Sequence, residues 1–233
     1  MAARAYFVTG TDTEVGKTYV TCAVLRTLVG AGLRVVAMKP VAAGCVVNAQ
    51  GELDNEDVLA HAAASNVPAP RALVNPYAFA PPVSPHLAAQ EAGVTIDFSH
   101  LHSCLDTLRK EADLVLVEGA GGWLAPVDDE RTMADMARAL GLPVILVVGM
   151  RLGCLNHALL STEAILASGA RLAGWFANEI DPAMSRAPEN LAYLKQHIAA
   201  PFLGFIPHAS RGEKAQSNQV QILEPGLEAL TRP

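Results

Sequence analysis

Residues 10–18 read GTDTEVGKT and bring two glycines together with a lysine and a threonine. Backbone N–H groups of such a loop can curl around phosphates, Lys17 can reach the outer phosphates of a nucleotide, and the Thr18 hydroxyl can hold Mg²⁺. The common pattern has four residues between its glycines, whereas five separate Gly10 from Gly16. The loop nevertheless follows an apolar run and opens a helical pattern, as the motif requires. We therefore predict nucleotide binding rather than a glycine-rich turn.

Glu118 is a second chemical candidate, because it ends the apolar run LVLVE and precedes Gly119, Ala120 and Gly121. In an open α/β sheet, ligands gather beyond the carboxyl ends of the strands. A carboxylate at that edge either is solvated or holds Mg²⁺. The phosphate loop favours the metal role.

Lys39 ends another run, VVAMK, and such a lysine is usually solvated. Close to the phosphate loop, its ammonium would stabilise charge on a transferring phosphoryl group. Asp54 and Asp57 lie in the acidic segment GELDNED. They either cap a helix or supply a second Mg²⁺ carboxylate, and spacing does not choose between these roles.

The segment NEID at 178–181 resembles the guanine-reading NKxD pattern, but glutamate replaces its lysine, which disfavours a GTPase. The Asn178 amide can read a purine edge, and we expect Asp181 to start a helix before Pro182. His100, His102 and Cys104 lie in a helical pattern, where residues two apart do not share a face. We therefore expect no zinc-type site there.

Apolar runs alternate with amphipathic segments along the chain. Several runs are apolar at consecutive positions, as strands buried on both faces must be. The alternation predicts an α/β fold, a doubly wound and mostly parallel sheet of the P-loop NTPase type. The predicted strands are 5–9, 34–38, 114–117, 144–148, 172–177 and 202–206, and helical spacing marks 133–140 and 191–198.

The 233 residues are 51% hydrophobic and 17% charged, which excludes a disordered or coiled-coil chain and favours a single domain, 1–233. The proline-rich segment 66–85 predicts a long ordered loop, and 209–233 is a weakly defined tail. With a net charge of −6 and no basic tract, we expect no nucleic-acid partner. Short apolar stretches, no signal-like N-terminal block and four scattered cysteines predict a cytoplasmic protein without a membrane partner.

Six blocks, in order over about residues 6–207, resemble the dethiobiotin synthetase family. They are YFVTGTDTEVGKT (6–18), MKPVAAG (38–44), NPYAFAPPVSPH (75–86), LVLVEGAGGW (114–123), LPVILVVGMRLGCLNHA (142–158) and LAGWFAN (172–178). The resemblance implies that 7,8-diaminononanoate, CO₂ and ATP give dethiobiotin, ADP and phosphate, with Mg²⁺. One amine would capture CO₂ as a carbamate, ATP would phosphorylate it to a mixed anhydride, and the second amine would close the ureido ring.

The resemblance also implies residue roles. Lys39 becomes the catalytic lysine, and Thr18, Asp57 and Glu118 become Mg²⁺ ligands. Substrate contacts fall on Thr13, Lys17, Lys39, Ala43, Gly153, Cys154 and Asn156. The expected nucleotide-binding residues are Glu14, Val15, Gly16, Lys17, Thr18, Tyr19, Asp57, Glu118, Gly119, Ala120, Gly121, Asn178, Glu179, Pro207, His208 and Ala209.

Residues 151–157 precede a helical pattern whose free N–H groups would suit a substrate carboxylate. The resemblance implies that they serve the neighbouring subunit's site, and hence a homodimer. Ala43 departs from the family, which usually has Ser or Thr there, and a lost hydrogen bond would cost about 1 kcal/mol. Around Glu213 the match to the family is loose, and a ribose contact there is a further hypothesis.

Two other functions share this fold. A partition-type ATPase switch would hydrolyse ATP without a small substrate, but it would usually carry a basic or amphipathic tail, which this chain lacks. A related amide ligase often carries an ammonia-generating domain, for which 233 residues leave no space.

Overall fold

The structure is a computed structural model that describes residues 3–208, 221–222 and 230–231, so Ala209 and Glu213 lie outside the described residues. The helices are α1 (Lys17–Gly30), α2 (Glu56–Ala64), α3 (Arg71–Val74), α4 (Pro85–Glu91), α5 (Phe98–Glu111), α6 (Met133–Ala139), α7 (Cys154–Ala167) and α8 (Ala187–His197). The strands are β1 (Arg4–Gly10), β2 (Val35–Met38), β3 (Val41–Ala42), β4 (Val46–Val47), β5 (Leu53–Asp54), β6 (Tyr77–Ala78), β7 (Leu114–Gly122), β8 (Val144–Met150), β9 (Leu172–Glu179), β10 (Phe202–Ile206) and β11 (Gln221–Ile222).

The main sheet has the strand order β11-β10-β9-β8-β1-β7-β2. Its six long strands pair in parallel, and β11 adds an antiparallel edge. From the central β1 the chain builds β2 and β7 on one side, then β8, β9 and β10 on the other. The predicted doubly wound α/β fold is confirmed. The ends of the predicted strands differ from the observed ones by at most two residues, except that the predicted strand 114–117 continues to Gly122 as β7.

Helices cover both faces of the sheet, which explains the apolar character of its strands. In β1, Phe7 packs on the face that includes Leu105 of α5, while Tyr6 and Val8 pack on the face that includes Leu25 of α1. Every residue of β8 is buried. After β1 the chain first adds strands on the β7 side of the sheet and later on the β8 side. The carboxyl end of β1 thus lies at the point where the direction of strand addition changes, which is where α/β sheets bind ligands.

Two local expectations differ from the structure. Segment 66–85 is not one irregular loop, because it contains α3 and β6, and β6 pairs with β3. The prediction that Asp181 starts a helix is wrong: its carboxylate accepts the Ala183 N–H in a turn, and α8 begins at Ala187.

His100, His102 and Cys104 lie on α5, as the pattern indicated. Within the described ranges, no helix combines the length and apolar character needed to cross a bilayer.

A capping interaction at the start of α6 gives a test of the fold. The Asp135 carboxylate accepts hydrogen bonds from the hydroxyl and the N–H of Thr132, at 2.7 and 2.8 Å. These bonds lower the pKa of Asp135 below its usual 3.8. A carboxylate with a lowered folded-state pKa stabilises the fold above its unfolded-state pKa, and this stabilisation is lost as the pH falls through the folded-state value.

We expect Asp135→Asn to lower the free energy of unfolding by about 0.5 kcal/mol at neutral pH. The difference from wild type should shrink as the pH falls from about 4 to about 2. Urea unfolding of the variant and the wild type at neutral pH, at about pH 4 and at about pH 2 measures this difference. Asp129→Asn, at an exposed position outside the capping interaction, makes the same charge change and serves as the control. An equal loss in both variants would contradict the assignment.

Candidate active site

The loop between β1 and α1 is shaped by residues in the left-handed backbone region. Gly16 has φ 83° and Glu14 has φ 58°. A Cβ on Gly16 would lie 2.2 Å from Nδ2 of Asn178, so that position requires glycine. Asn178 also donates from Nδ2 to the carbonyl of Val15 at 2.8 Å. The end of β9 therefore holds the loop in place.

Lys17 begins α1 and lies inside the loop. Its side chain is buried, and Nζ donates to the carbonyl of Asp12 at 3.1 Å. Burial, followed by the nearby Lys39 ammonium, lowers the pKa of Lys17 to about 8, against the opposing pull of neighbouring carboxylates. Burial and the second ammonium destabilise the charged form of Lys17, so an anion that binds beside it, such as a phosphate, would stabilise that charge.

Four side chains from four different elements meet beside this loop. Lys39 Nζ, just after β2, lies 2.8 Å from Asp57 Oδ2 on α2 and 2.7 Å from Glu118 Oε1 on β7. The Thr18 hydroxyl on α1 lies 2.7 Å from Asp57 Oδ1 and 2.8 Å from Glu118 Oε1. A hydroxyl carries one proton, so it can donate to one of these carboxylates at a time.

Glu118 is fully buried yet ionised. Burial alone would raise its pKa, but the Lys39 ammonium and then His61 hold the pKa of this carboxyl well below its usual range. Lys39 is also buried, which would lower its pKa, but Glu118 and Asp57 outweigh that effect and raise it. The pair is therefore a buried ion pair.

The oxygen atoms of Thr18, Asp57 and Glu118 fit a hard divalent cation, because such ions take carboxylate and hydroxyl oxygens. Asp57, rather than Asp54, takes part. Asp54 lies on β5 and forms an ion pair with Arg71. The helix cap comes from Asn55, whose side-chain oxygen accepts the N–H groups of Asp57 and Val58. Neither Asp54 nor Asp57 caps α2 with its side chain, so the alternative that they cap a helix is wrong.

A cleft of about 710 Å³ opens above the cluster. It joins the phosphate loop to the turn around Ala43 and to the segment 82–85. Of the predicted site residues, the cleft is lined by Thr13, Glu14, Gly16, Lys17, Thr18, Tyr19, Lys39, Ala43, Asp57, Glu118, Ala120 and Gly121. Gly119 lies beneath them, with its carbonyl 3.4 Å from Lys39 Nζ.

Four more of the predicted nucleotide contacts lie at the ends of β9 and β10, namely Asn178, Glu179, Pro207 and His208. Val15 lies in the phosphate loop with its side chain buried. The backbone N–H of His208, next to Pro207, donates to Glu179 Oε2 at 2.9 Å. Asn178 precedes Glu179 and uses its amide on the phosphate loop. These residues thus form one edge beside the loop.

Gly153, Cys154 and Asn156 are not among the residues that line the cleft. The helix α7 begins at Cys154 with Gly153 as its N-cap, so the expectation that all of 151–157 precedes the helix is wrong. The Cys154 side chain is buried, while Asn156 and Leu152 are exposed. An ion pair between Arg151 and Asp12 connects this segment with the phosphate loop. Within one chain, the segment is therefore adjacent to the site but outside it.

Sequence reasoning missed two partners of Glu118, namely Thr21 and His61. The Thr21 hydroxyl and His61 Nε2 each lie 2.9 Å from Glu118 Oε2. Their spacing was an available signal, since Thr21 follows Thr18 by three residues and His61 follows Asp57 by four. Residues so spaced share a helix face.

A family model described as an AAA domain matches residues 4–216. The ATP-dependent dethiobiotin synthetase BioD of Aromatoleum aromaticum is 53% identical over 213 residues, which is 91% of this chain and 94% of that protein. The protein of the same name from Pseudomonas aeruginosa strain UCBPP-PA14 is 52% identical, covering 91% of this chain and 92% of its own length. The chain belongs to the dethiobiotin synthetase family. This confirms the predicted resemblance, and with it an ATP-dependent ligase of biotin biosynthesis.

Solved structures at lower identity share the fold with this dethiobiotin synthetase family member. The cell division protein FtsY of Thermotoga maritima has a TM-score of 0.55 at 13% identity, covering 99% of this chain and 69% of its own. The MinC:MinD cell division complex of Aquifex aeolicus has a TM-score of 0.57 at 14% identity, covering 98% and 93%. These likenesses confirm the P-loop NTPase type of fold.

The contact between Gly16 and Asn178 predicts a specific loss of nucleotide binding. In Gly16→Ala, the new methyl group would push Asn178 away from the loop, in addition to straining a left-handed backbone position at a cost of about 1–2 kcal/mol. We expect a large fall in ATP affinity by titration calorimetry. Gly32→Ala is the matched control, because Gly32 has φ 84° and nothing within 4 Å of its would-be Cβ. Equal ATP affinity in the two variants would contradict the steric argument.

Proposed function

We propose that this chain makes dethiobiotin from 7,8-diaminononanoate, CO₂ and ATP and releases ADP and phosphate. The observation that carries the proposal is the cleft that joins the phosphate loop, the Lys39 cluster and Ala43. Its volume of about 710 Å³ lies within the usual range of about 300–1,000 Å³ for small-molecule sites. Family membership supports the reaction, and the cleft supports one site for nucleotide and diamine.

The proposed chemistry has three steps. One amine forms a C–N bond with CO₂ and loses a proton, which gives a carbamate. A carbamate oxygen then attacks the γ-phosphorus of ATP, the bond to ADP breaks, and a carbamic-phosphoric anhydride results. The second amine attacks the carbonyl carbon, expels phosphate and closes the ureido ring. These steps need positioning and charge neutralisation rather than a protein nucleophile.

Several residues take roles in these steps. Lys39 holds the carbamate and the γ-phosphate and stabilises the charge that develops between them. Lys17 binds the outer phosphates. Thr13 and Ala43 contact the diamine. The edge formed by Asn178, Glu179, Pro207 and His208, together with Ala209, contacts adenine.

In this proposal Mg²⁺ is held by Thr18, Asp57 and Glu118. The Thr18 hydroxyl oxygen lies 2.7 Å from Asp57 Oδ1 and 2.8 Å from Glu118 Oε1, so the three oxygens are close together. When bound, the ion neutralises charge on the nucleotide phosphates. The Lys39 ammonium lies against the same two carboxylates and shares in balancing their charge.

We further propose a cytoplasmic homodimer in which the segment from Gly153 to Asn156 serves the partner's site. One observation supports the shared site: the segment lies outside the cleft of its own chain, although the Arg151–Asp12 ion pair connects it with the phosphate loop.

The deciding experiment measures ADP release from Mg-ATP with and without 7,8-diaminononanoate and bicarbonate. We expect release to require both, and dethiobiotin to be detected by mass. Release that is indifferent to both additions would overturn the proposal and indicate an ATPase switch. An Asp57→Asn sample analysed in parallel identifies any contaminating ATPase, because its activity should be lost.

Lys39→Ala tests the catalytic lysine. We expect turnover to fall by about 10²- to 10³-fold, because an electrostatic contact to the developing charge is lost. ATP affinity should change much less, since the phosphate loop remains. Steady-state kinetics and ATP titration are compared below the variant's unfolding temperature, with Lys110→Ala at an exposed position of α5 as the control. Unchanged turnover would exclude the catalytic role.

Complementation tests the shared site. Lys39→Ala and the double variant Asn156→Ala/His157→Ala should each be inactive. In a freely exchanged equal mixture, half of the dimers are mixed and one of their two sites is intact. About one quarter of wild-type activity should therefore return. Failure to recover activity, with exchange shown by mass spectrometry, would place residues 151–157 outside the partner's site.

A further inference from the structure

His61 is a buried histidine that the proposed reaction does not use. It lies on α2 with 3% of its surface exposed, and its Nε2 is 2.9 Å from Glu118 Oε2. Ionised Glu118 can only accept hydrogen bonds, so Nε2 carries the proton and donates it. Nδ1 is buried and has no hydrogen-bond partner in the part of the chain that the structure describes. Within the described residues, the hydrogen bond to Glu118 is therefore the one that the His61 ring makes.

The two oxygens of Glu118 have different surroundings. Oε1 is the oxygen near Thr18 and Lys39, at 2.8 and 2.7 Å. Oε2 is held from behind by Thr21 on α1 and His61 on α2, each at 2.9 Å. Because two donors hold Oε2, the carboxylate cannot rotate freely, and Oε1 stays directed to the cluster.

His61 also connects the two carboxylates of the cluster. Asp57 and His61 are four residues apart on α2 and thus share a face. Asp57 contacts Lys39 and Thr18, while His61 contacts Glu118 on β7. The histidine bond is therefore a direct contact between the helix that carries one carboxylate and the strand that carries the other, in addition to the contacts through Thr18 and Lys39.

We propose that His61 is a positioning residue that aligns Glu118 and Asp57 for the divalent cation that accompanies the nucleotide. The inference deepens the proposed function and rests on the metal site proposed there. Removing a hydrogen-bond donor behind a metal ligand typically weakens metal affinity by about 10- to 100-fold. His61 should act on the cation and leave the direct contacts of the nucleotide unchanged.

The test is a Mn²⁺ titration by electron paramagnetic resonance, with a non-hydrolysable ATP analogue present and no turnover. His61→Leu keeps the bulk but removes the donor, and it should weaken Mn²⁺ binding about 10- to 100-fold. His61→Gln places an amide N–H near the position of Nε2 and should restore affinity to within a few-fold of wild type. Metal-free binding of the analogue should be the same in all variants.

Val58→Ala is the matched control, because Val58 is a buried residue of α2 that packs in an apolar cluster with Ala42 and Cys45, and its side chain has no donor for Glu118. Its Mn²⁺ affinity should stay close to that of wild type. Wild-type affinity in His61→Leu would overturn the inference, and so would equal weakening in Val58→Ala or in His61→Gln. If His61→Leu does not fold, His61→Asn replaces it, since the shorter amide does not reach Oε2.

Glu118→Gln in the same titration separates the two proposals. Unchanged Mn²⁺ affinity in Glu118→Gln would overturn the metal site, and with it the role of His61. Weakened binding in Glu118→Gln, with full affinity in His61→Leu, would overturn the positioning role alone. A metal site that behaves as expected, without dethiobiotin formation, would leave the inference standing and overturn the proposed reaction.

Discussion

The buried charge of Glu118 is the constraint on which the rest of the site depends. An ionised carboxylate removed from water is costly unless cations and hydrogen-bond donors surround it. Here Lys39, Thr18, Thr21 and His61 supply them. Their side chains come from the end of β2, from α1 and from α2, so one carboxylate on β7 fixes the relative position of four elements.

This arrangement resembles a structural ion pair, but it has an open side. Asp57 keeps 38% of its side chain exposed, and the cleft lies above it. Lys39, which has 6% exposure, therefore combines a fixed position with access to the cleft, and such preorganised charge is effective in stabilising a transferring phosphoryl group.

The phosphate loop depends on the tertiary structure in a similar way. Its glycine at 16 is required because Asn178, 162 residues further along the chain, lies against it. The loop sequence predicts a nucleotide site, yet the hydrogen bond from Asn178 to Val15 that holds the loop does not follow from the loop sequence. Through this hydrogen bond, Asn178, one of the predicted base contacts, directly contacts the phosphate loop.

The sequence alone determined the strands, the phosphate loop and the candidates Lys39 and Glu118, because buried strands and loop glycines leave local patterns. Proline content misled at 66–85, since Pro70 serves as the N-cap of the short helix α3. Local spacing also left Asp54 and Asp57 equivalent, and although it puts His61 on the same helix face as Asp57, it does not reveal that Glu118 is the partner of His61. The tertiary structure decided these points, because Glu118 meets Lys39 and His61, and Lys39 in turn meets Asp57, through contacts between segments that are distant in the chain. Periodicity along the chain does not encode such contacts.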